Sequence, residues 1–203
     1  MSTYLEVQNR VNNDYLNRTV FGAETRRAIQ ASIRHYEYRR WTFNETATAL
    51  TTSSSQSYVT IPSNFLILDD LRITLNNEDV PLVRRDAQTL RDWNTANTYG
   101  QPTDYAIYQN RIETFPIANS AYSMPMYYLK SLSALSADSD TNSWIQGAME
   151  DVIVYRAAKL MWANILRNDK EALKFNALEK EALSNLTSHL EQRQLNRLKP
   201  TKF

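Results

Sequence analysis

Hydrophobic positions follow different periods in different parts of the chain. Up to about Asn44 the spacing is helical, and Gly22 marks a break after a first segment that starts near Ser2. In the segment after this break, apolar residues fall on one face at spacings of three, four and seven: Ile29, Ile33, Tyr36 and Phe43. The pattern predicts two N-terminal helices.

The helical period returns at about Asn142 and continues to Leu198. One stripe consists of Ile145, Met149, Val152, Arg156 and Leu160, widened by Ile153 and Ala157. A second consists of Phe175, Leu178, Ala182, Leu186 and Leu190. Asn168-Asp169 breaks the pattern and can cap the second helix. The spacing predicts an αα-hairpin that buries its stripes on the N-terminal helices.

The middle of the chain, from about Glu45 to Leu132, has the character of a β region. It contains five of the six prolines, which disfavour a long helix. Short runs between turn residues predict strands at Thr46–Leu50, Ser57–Ile61, Phe65–Leu75, Tyr105–Ile107, Arg111–Phe115 and Tyr122–Leu129. The first two flank Ser53-Ser54-Ser55 as the arms of a hairpin would, and a short helix is predicted at Asp86–Asn94.

The helix–strand–helix order predicts an α+β fold. We expect an α-helical bundle, made of the two N-terminal helices and the C-terminal αα-hairpin, with an inserted small antiparallel β-sandwich or partial barrel. The expected domains are a helical bundle of residues 1–44 and 142–203 with a C-terminal docking tail, and an inserted β domain of residues 45–141.

Composition excludes several kinds of site. The 203 residues include no cysteine, which excludes disulfides, zinc-finger clusters and a Cys nucleophile. Three glycines do not suffice for a Gly-rich phosphate loop, and no run of about 18 apolar residues predicts a membrane span. The net charge of +1 lacks the basic excess of a protein that grips phosphate backbones.

No pattern of titratable residues predicts catalysis. His35 and His189 lack the short His spacing of a metal site, so we interpret both as structural or surface residues. The acidic candidates are Asp69-Asp70, Glu78-Asp79 and Asp138-x-Asp140. Adjacent acids on a strand point to opposite faces, and the last motif lacks the Gly and Glu of a calcium loop, so helix capping ahead of Trp144 explains it better. We therefore expect no enzyme and no catalytic, cofactor-binding or metal residues.

Basic residues concentrate in two places. The second predicted helix carries Arg26, Arg27, Arg34, Arg39 and Arg40, interleaved with Tyr36, Tyr38 and Trp41. These could bind nucleic acid, although a solvated face with inward aromatics is the favoured interpretation. After Glu191 the unopposed cations are Arg193, Arg197, Lys199 and Lys202. A basic tail of this kind is either harmless or a means of reaching a neighbouring subunit. The 12 Tyr, 6 Phe and 4 Trp favour assembly with other proteins.

An ordered set of packing and turn motifs resembles a known family. The motifs are Tyr58-Val59-Thr60-Ile61-Pro62-Ser63-Asn64-Phe65, Ile67 to Ile73, Trp93, Gly100-x-Pro102-x-x-Tyr105-x-Ile107, Ile112, Pro116, Met126-Tyr127-Tyr128, and the helix from Trp144 through Asp151 and Tyr155 to Ala158. From about Ser2 to Asn168 this order is similar to that of the head-to-tail adaptor (connector) proteins of tailed bacteriophages, of the type with a β module between helices.

The resemblance implies a structural virion protein in the neck between capsid and tail, made in the host cytoplasm. It implies a ring, commonly of twelve copies, beneath the portal, with the helical bundle framing a channel for double-stranded DNA that is not read by sequence. The C-terminal helix and tail would dock on the portal, with Arg193, Arg197, Lys199 and Lys202 as the assigned residues. The β insert would face neighbouring adaptors or tail and nozzle proteins. The alternatives are a tail-completion or stopper protein and a nucleic-acid-binding regulator that uses the Arg-rich helix.

Overall fold

The computed structural model describes residues 2–18 and 20–197, with side chains described as far as residue 188. The helices are α1 (Tyr4–Asn9), α2 (Gly22–Tyr36), α3 (Ala87–Asn94), α4 (Ala148–Asn164) and α5 (Asp169–Arg197), with a π-helical segment (Arg10–Tyr15) after α1 and a 3-10 turn (Ser143–Ile145) before α4. The strands are β1 (Glu45–Thr51), β2 (Tyr58–Thr60), β3 (Phe65–Leu75), β4 (Glu78–Pro81), β5 (Val83–Arg84), β6 (Tyr99–Gly100), β7 (Asp104–Tyr108), β8 (Arg111–Phe115), β9 (Ile117–Ala118) and β10 (Ser123–Lys130). The predicted α+β class is confirmed.

The chain forms two compact units. The helical unit consists of the described residues of Met1–Glu37 and Leu132–Phe203, and the β unit consists of Tyr38–Ser131. The domain boundaries expected from the sequence, at 44/45 and 141/142, lie further along the chain. Residues 37–44 and 131–142 contain no helix or strand, so hydrophobic periodicity has no signal there to place a boundary.

In the helical unit, α4 is the central helix. It buries residues on more than one side, because α2 and α5 both pack on it. The buried residues of α4 are Met149, Val152, Ile153, Val154, Ala157, Ala158 and Met161. Of the face predicted for the second helix, Ile29 and Tyr36 are buried. The inclusion of Phe43 in that face was wrong, because α2 ends at Tyr36 and Phe43 lies in the following turns.

Two consecutive helices, α4 and α5, form the predicted αα-hairpin. The side-chain oxygen of Asn168 accepts a hydrogen bond from the Glu171 N–H at 3.3 Å, so Asn168 caps α5 as its position predicted. Phe175 is buried, whereas Leu178, Ala182 and Leu186 are half-buried. The side chain of Leu190 lies outside the described residues.

The β unit is built from two four-stranded sheets that share one core. Their strand orders are β1-β10-β3-β4 and β2-β8-β7-β5. The core residues come from both sheets and their connections: Ile61, Leu71, Ile73, Leu82, Tyr105, Ile112, Met124, Met126 and Tyr128. Most pairs are antiparallel as predicted, but β5–β7 and β6–β9 are parallel pairs of two residues each, too short to leave a periodic signal.

The predicted hairpin between Thr46–Leu50 and Ser57–Ile61 was wrong. In the structure β1 pairs with β10 and β2 with β8, so the two segments lie in different sheets. The connecting loop bonds to a distant segment, with Thr52 donating to the Tyr122 carbonyl and Ser55 to the Ala118 carbonyl. The Ser-rich turn therefore carries the chain from one sheet to the other, and apolar residues of both sheets meet in the shared core.

A helix cap and a turn in the β unit are made by residues close together in the sequence. The predicted short helix is present as α3, and the Asp86 carboxylate caps it by accepting from the N–H groups of Gln88 and Thr89. Asn76 and Asn77 form the two-residue turn between β3 and β4, with φ of 49° and 67°. Both values lie in the left-handed region that Asn tolerates better than most residues.

Candidate assembly surfaces

A buried carboxylate fixes the first half of α5 on the helical unit. Glu179 is 4% exposed, and its carboxylate accepts hydrogen bonds from three cationic or hydroxyl groups. Tyr36 donates at 2.5 Å, Arg156 at 2.8 Å and Lys159 at 2.6 Å. Burial by itself would raise the pKa of Glu179, but the hydrogen bonds from Lys159, Tyr36 and Arg156 outweigh burial and lower this pKa. Glu179 is therefore an ionised anchor between α2, α4 and α5.

The second half of α5 extends past its neighbour. Seventeen residues make α4 about 26 Å long, whereas 29 residues make α5 about 44 Å long. A groove lined by Ala148 and Asp151 from the first turn of α4 and by Asn185 and Leu186 from α5 shows which residues lie opposite the start of α4. The remaining turns of α5, up to Arg197, project beyond α4.

The residues assigned to docking fall at this end of the chain. Arg193 and Arg197 belong to the projecting turns of α5, and their side chains lie outside the described residues. Lys199 and Lys202 lie outside the described residues altogether. Their role in docking therefore stays a prediction.

The N-terminal helical segment is tied to the start of α4 by charge. Arg10 contacts Glu150 at 2.9 Å and Asp151 at 2.6 Å, and both acids lie in the first turn of α4, where a helix dipole favours negative charge. Burial disfavours the Arg10 cation, but hydrogen bonds to Asp151, Tyr15 and Glu150 raise its pKa. Ser2 adds a hydrogen bond to Glu150 at 2.7 Å. These contacts hold the segment from Ser2 to Arg10 against the first turn of α4.

The Arg-rich segment does not form one helical strip. Only Arg26, Arg27 and Arg34 lie on α2, because the helix ends before Arg39 and Arg40. Arg26 is bound to Asp138 at 2.5 Å and to Gln8 at 2.9 Å. Arg40 contacts Glu45 and Asp69.

The interleaved aromatics divide between core and surface. Tyr36 and Trp41 are buried as the favoured interpretation predicted, whereas Tyr38 is 64% exposed. A continuous stacking face of the kind that binds single strands therefore does not form in this segment.

The other polar candidates have structural contacts. His35 is an exposed residue of α2, and its ring lies edge-on to that of Tyr36 with 4.8 Å between the ring centres. The side chain of His189 lies outside the described residues. Asp140 accepts from the backbone N–H groups of Ser136 and Ala137, and these hydrogen bonds lower its pKa.

The predicted capping ahead of Trp144 comes from a different residue. Asn142, not an aspartate, accepts the Trp144 N–H at 2.9 Å. Among the described residues no three His, Asp or Glu side chains are placed to hold a metal ion. No helix in the described part of the chain combines the length and apolar character needed to cross a bilayer.

Sequence reasoning missed a charged cluster on the outer face of the β unit. Glu113, 6% exposed, accepts from Arg91 of α3 at 3.1 and 3.2 Å, and Arg111 contacts it at 3.3 Å. The Arg91 guanidinium also lies 3.8 Å from the centre of the Tyr108 ring. Arg111 and Glu113 are two residues apart on β8 and therefore lie on the same face, which the sequence could show. The contact of Arg91 with Glu113 depends on the tertiary fold.

Exposed aromatic side chains concentrate in the β unit. Among the described residues, the large aromatics with substantial exposure are Tyr38, Trp93, Tyr99, Tyr108 and Tyr127, and all belong to Tyr38–Ser131. Large exposed aliphatic residues occur in both units: Ile67, Val80 and Val83 in the β unit, and Leu5, Val20, Ile165 and Leu173 in the helical unit. Tyr and Trp are enriched where proteins meet proteins, because they bury much area at a low entropic cost. The β unit thus carries the exposed aromatic side chains that favour contacts with other proteins.

A family model described as the SU10 adaptor protein matches residues 2–200. The chain belongs to the SU10 adaptor family. This confirms the resemblance to phage head-to-tail adaptors, and the match extends beyond Asn168 through α5. No curated protein matches the chain. As an SU10 adaptor, the protein is a phage structural component that interacts with other head and tail proteins in the virion.

Proposed function

We propose that this SU10 adaptor forms a ring of twelve copies that binds below the portal, links it to the tail and frames part of the DNA channel. The observation that carries the proposal is the family match over residues 2–200. The helical unit would frame the channel, and the β unit would face neighbouring adaptors and the tail or nozzle proteins. Double-stranded DNA would pass without sequence-specific contacts.

The near-zero net charge of the chain supports a channel that does not bind DNA tightly. Lys and Arg total 23 against 22 Asp and Glu, and several arginines on the described surface are already paired with carboxylates. A protein that neutralises many phosphates releases counterions and binds DNA tightly. A nearly neutral ring lets DNA slide during packaging and ejection.

The projecting end of α5 supports portal docking. A helix that extends beyond its neighbours can be covered by a groove on another protein. Glu179 anchors the first half of α5 to Arg156 and Lys159 of α4. The projecting turns of α5 are therefore held in a defined direction relative to α4. Arg193, Arg197, Lys199 and Lys202 would add charge to that contact.

Mixing the purified chain with its portal and imaging the product by electron microscopy tests the ring. We expect closed rings on the portal; a wild-type chain that forms neither a ring nor a complex would overturn the proposal. Tight DNA binding that falls steeply with salt would instead favour the nucleic-acid-binding regulator.

Docking is tested separately with charge reversal. Arg193→Glu/Arg197→Glu and Lys199→Glu/Lys202→Glu are each expected to weaken portal binding by at least about tenfold. The matched control is Lys170→Glu/Lys180→Glu, which reverses two exposed charges in the anchored half of α5. Equal binding by all three double variants would remove the assignment of docking to the basic end.

A further inference from the structure

One edge strand of the β unit lacks the features that usually keep sheet edges from pairing. The outer strands of the two four-stranded sheets are β1, β4, β2 and β5. Three of them are short, with four, three and two residues, whereas β1 has seven. Proteins protect edges by keeping them short, because unpaired N–H and C=O groups attract other strands. Only β1 among these four offers a long row of such groups.

The two edge strands of this sheet, β4 and β1, also differ in the residues that block the addition of another strand. Glu78-Asp79-Val80-Pro81 of β4 carries two carboxylates and a proline, which block strand addition. Glu45-Thr46-Ala47-Thr48-Ala49-Leu50-Thr51 of β1 has a single charge at its start and no proline. It pairs with β10 at all seven positions without a bulge, so its free edge is straight. The strand β1 itself therefore carries no proline, bulge or central charge that would block strand addition.

The middle of the exposed face beside this edge is apolar. Ala47 and Ala49 are exposed and lie opposite Tyr127 and Pro125 of β10. Tyr127 is 43% exposed. A strand that continues the sheet past β1 would cover the two alanines with its own side chains. One added strand would therefore both pair the free backbone groups of β1 and cover its exposed alanines.

The described residues of this chain do not supply that partner. Among them only β10 pairs with β1, so the opposite edge of β1 stays open to a strand from another chain.

The sequence of β1 is complementary to itself. In an antiparallel pair centred on Thr48, Ala47 lies opposite Ala49 of a second copy. Glu45 then lies opposite Thr51 of that copy, so no like charges meet. A parallel in-register pair would instead place Glu45 against Glu45. In this register the numbers of paired residues differ by an even number, as for Ala47 and Ala49. Paired residues therefore direct their N–H and C=O groups alike, either both toward the shared edge or both away from it, as an antiparallel ladder requires.

We propose that two copies of this chain associate through antiparallel pairing of their β1 strands, which joins two four-stranded sheets into one of eight strands. This contact is isologous and closes after two copies, whereas a cyclic ring needs two different patches on each subunit. The pair is therefore a form of the free protein, distinct from the ring proposed above. Its presence or absence leaves the portal-binding experiment unchanged.

The molecular mass in solution tests the pair. Sedimentation equilibrium over a concentration series should give a dimer for the wild type. Ala47→Lys places a charge on the exposed edge and should raise the dimer dissociation constant at least about tenfold. Val80→Lys, on the exposed edge strand β4, should leave the dimer unchanged, and a urea midpoint for each variant shows that it is folded. A wild type that stays monomeric, or a dimer that Val80→Lys weakens and Ala47→Lys does not, would overturn the proposal.

Disulfide trapping tests the register, since the chain has no cysteine of its own. In the proposed register the Cα atoms of Ala47 and Ala49 of the second copy are about 4.5–5.5 Å apart, within reach of a disulfide. Two Ala47 residues are diagonal neighbours about 7–8 Å apart and out of reach. A mixture of Ala47→Cys and Ala49→Cys chains should therefore cross-link on oxidation, and either variant alone should not. Cross-linking of Ala47→Cys with itself would contradict the pairing.

Discussion

The hydroxyl of Tyr36 donates a hydrogen bond of 2.5 Å to the carboxylate of Glu179, although the two residues are 143 positions apart. Arg156 of α4 donates to the same carboxylate oxygen, and Lys159 donates to the other. One side chain thus connects the second, fourth and fifth helices. This carboxylate therefore holds the first half of α5 against α2 and α4.

Removing the carboxylate should weaken the helical unit. Glu179→Ala leaves Arg156 and Lys159 without their buried counter-charge, and we expect a loss of about 3 kcal/mol in the free energy of unfolding. Urea unfolding monitored by far-UV circular dichroism measures it. Glu181→Ala, an exposed carboxylate one half-turn away on α5, is the matched control and should change stability by less than about 0.5 kcal/mol. Equal effects of the two substitutions would show that Glu179 is not an anchor.

Acid should remove the same contribution. The pKa of Glu179 is lowered in the folded protein from its ordinary value of 4.5, so the stabilisation is fully present above about pH 4.5 and is lost as pH falls through the folded pKa. Glu179→Gln has no such carboxylate. The difference in unfolding free energy between wild type and Glu179→Gln should therefore shrink between about pH 6 and about pH 3. A difference that stays constant or grows on acidification would contradict the lowered pKa.

Two glycines next to helix starts should respond differently to substitution. Gly147, before α4, has φ of 61° and ψ of −146°, a region that is nearly restricted to glycine. No atom lies within 4 Å of an added Cβ there, so the expected loss for Gly147→Ala, about 1–3 kcal/mol, comes from the backbone alone. Gly22→Ala is the control, since Gly22 is helical and its Cβ also meets open space. It should leave stability unchanged or raise it by up to about 1 kcal/mol in the same urea titration.

Exposed aromatics of the β unit should matter for assembly and not for folding. Tyr99 is 55% exposed, and Tyr99→Ser should leave the urea midpoint unchanged while it lowers the fraction of chains found in rings or portal complexes by electron microscopy. Gln101→Ser, at an exposed position nearby on the chain, is the control and should assemble as the wild type does. A Tyr99→Ser variant that unfolds would show instead that the Tyr99 side chain supports the fold of the β unit, and one that assembles like the wild type would remove its role in assembly.

Local signals in the sequence predicted local structure well. Phe65–Leu75 and Arg111–Phe115 are strands with the predicted bounds, and the short helix predicted at Asp86–Asn94 is present from Ala87 to Asn94, with Asp86 as its cap. These successes share a cause: alternation, capping and the intolerance of helices for proline act within a few residues. The same locality explains the failure at Ser53–Ser55. A turn between two strands looks the same whether they pair with each other or with strands far along the chain.

The site residues divide in the same way. The resemblance to head-to-tail adaptors could be found because turn and packing motifs such as Ile61-Pro62 and Gly100-x-Pro102 are local. The anchoring role of Glu179 left no comparable signal, because an acid in the charged run Glu179-Lys180-Glu181 of a helix is ordinarily a solvated side chain. Its partners lie on other helices, and Tyr36 is separated from it by the whole β unit in sequence.

The amino-acid sequence by itself determined the α+β class, most element positions and the adaptor family, because periodicity, caps and turns are encoded within short windows. The tertiary structure alone decided that β1 lies at a free edge beside β10, that Arg91 reaches Glu113, and that α5 extends beyond α4. Each of these depends on which distant segments bury apolar surface together, a global balance of burial against chain entropy that no single window contains.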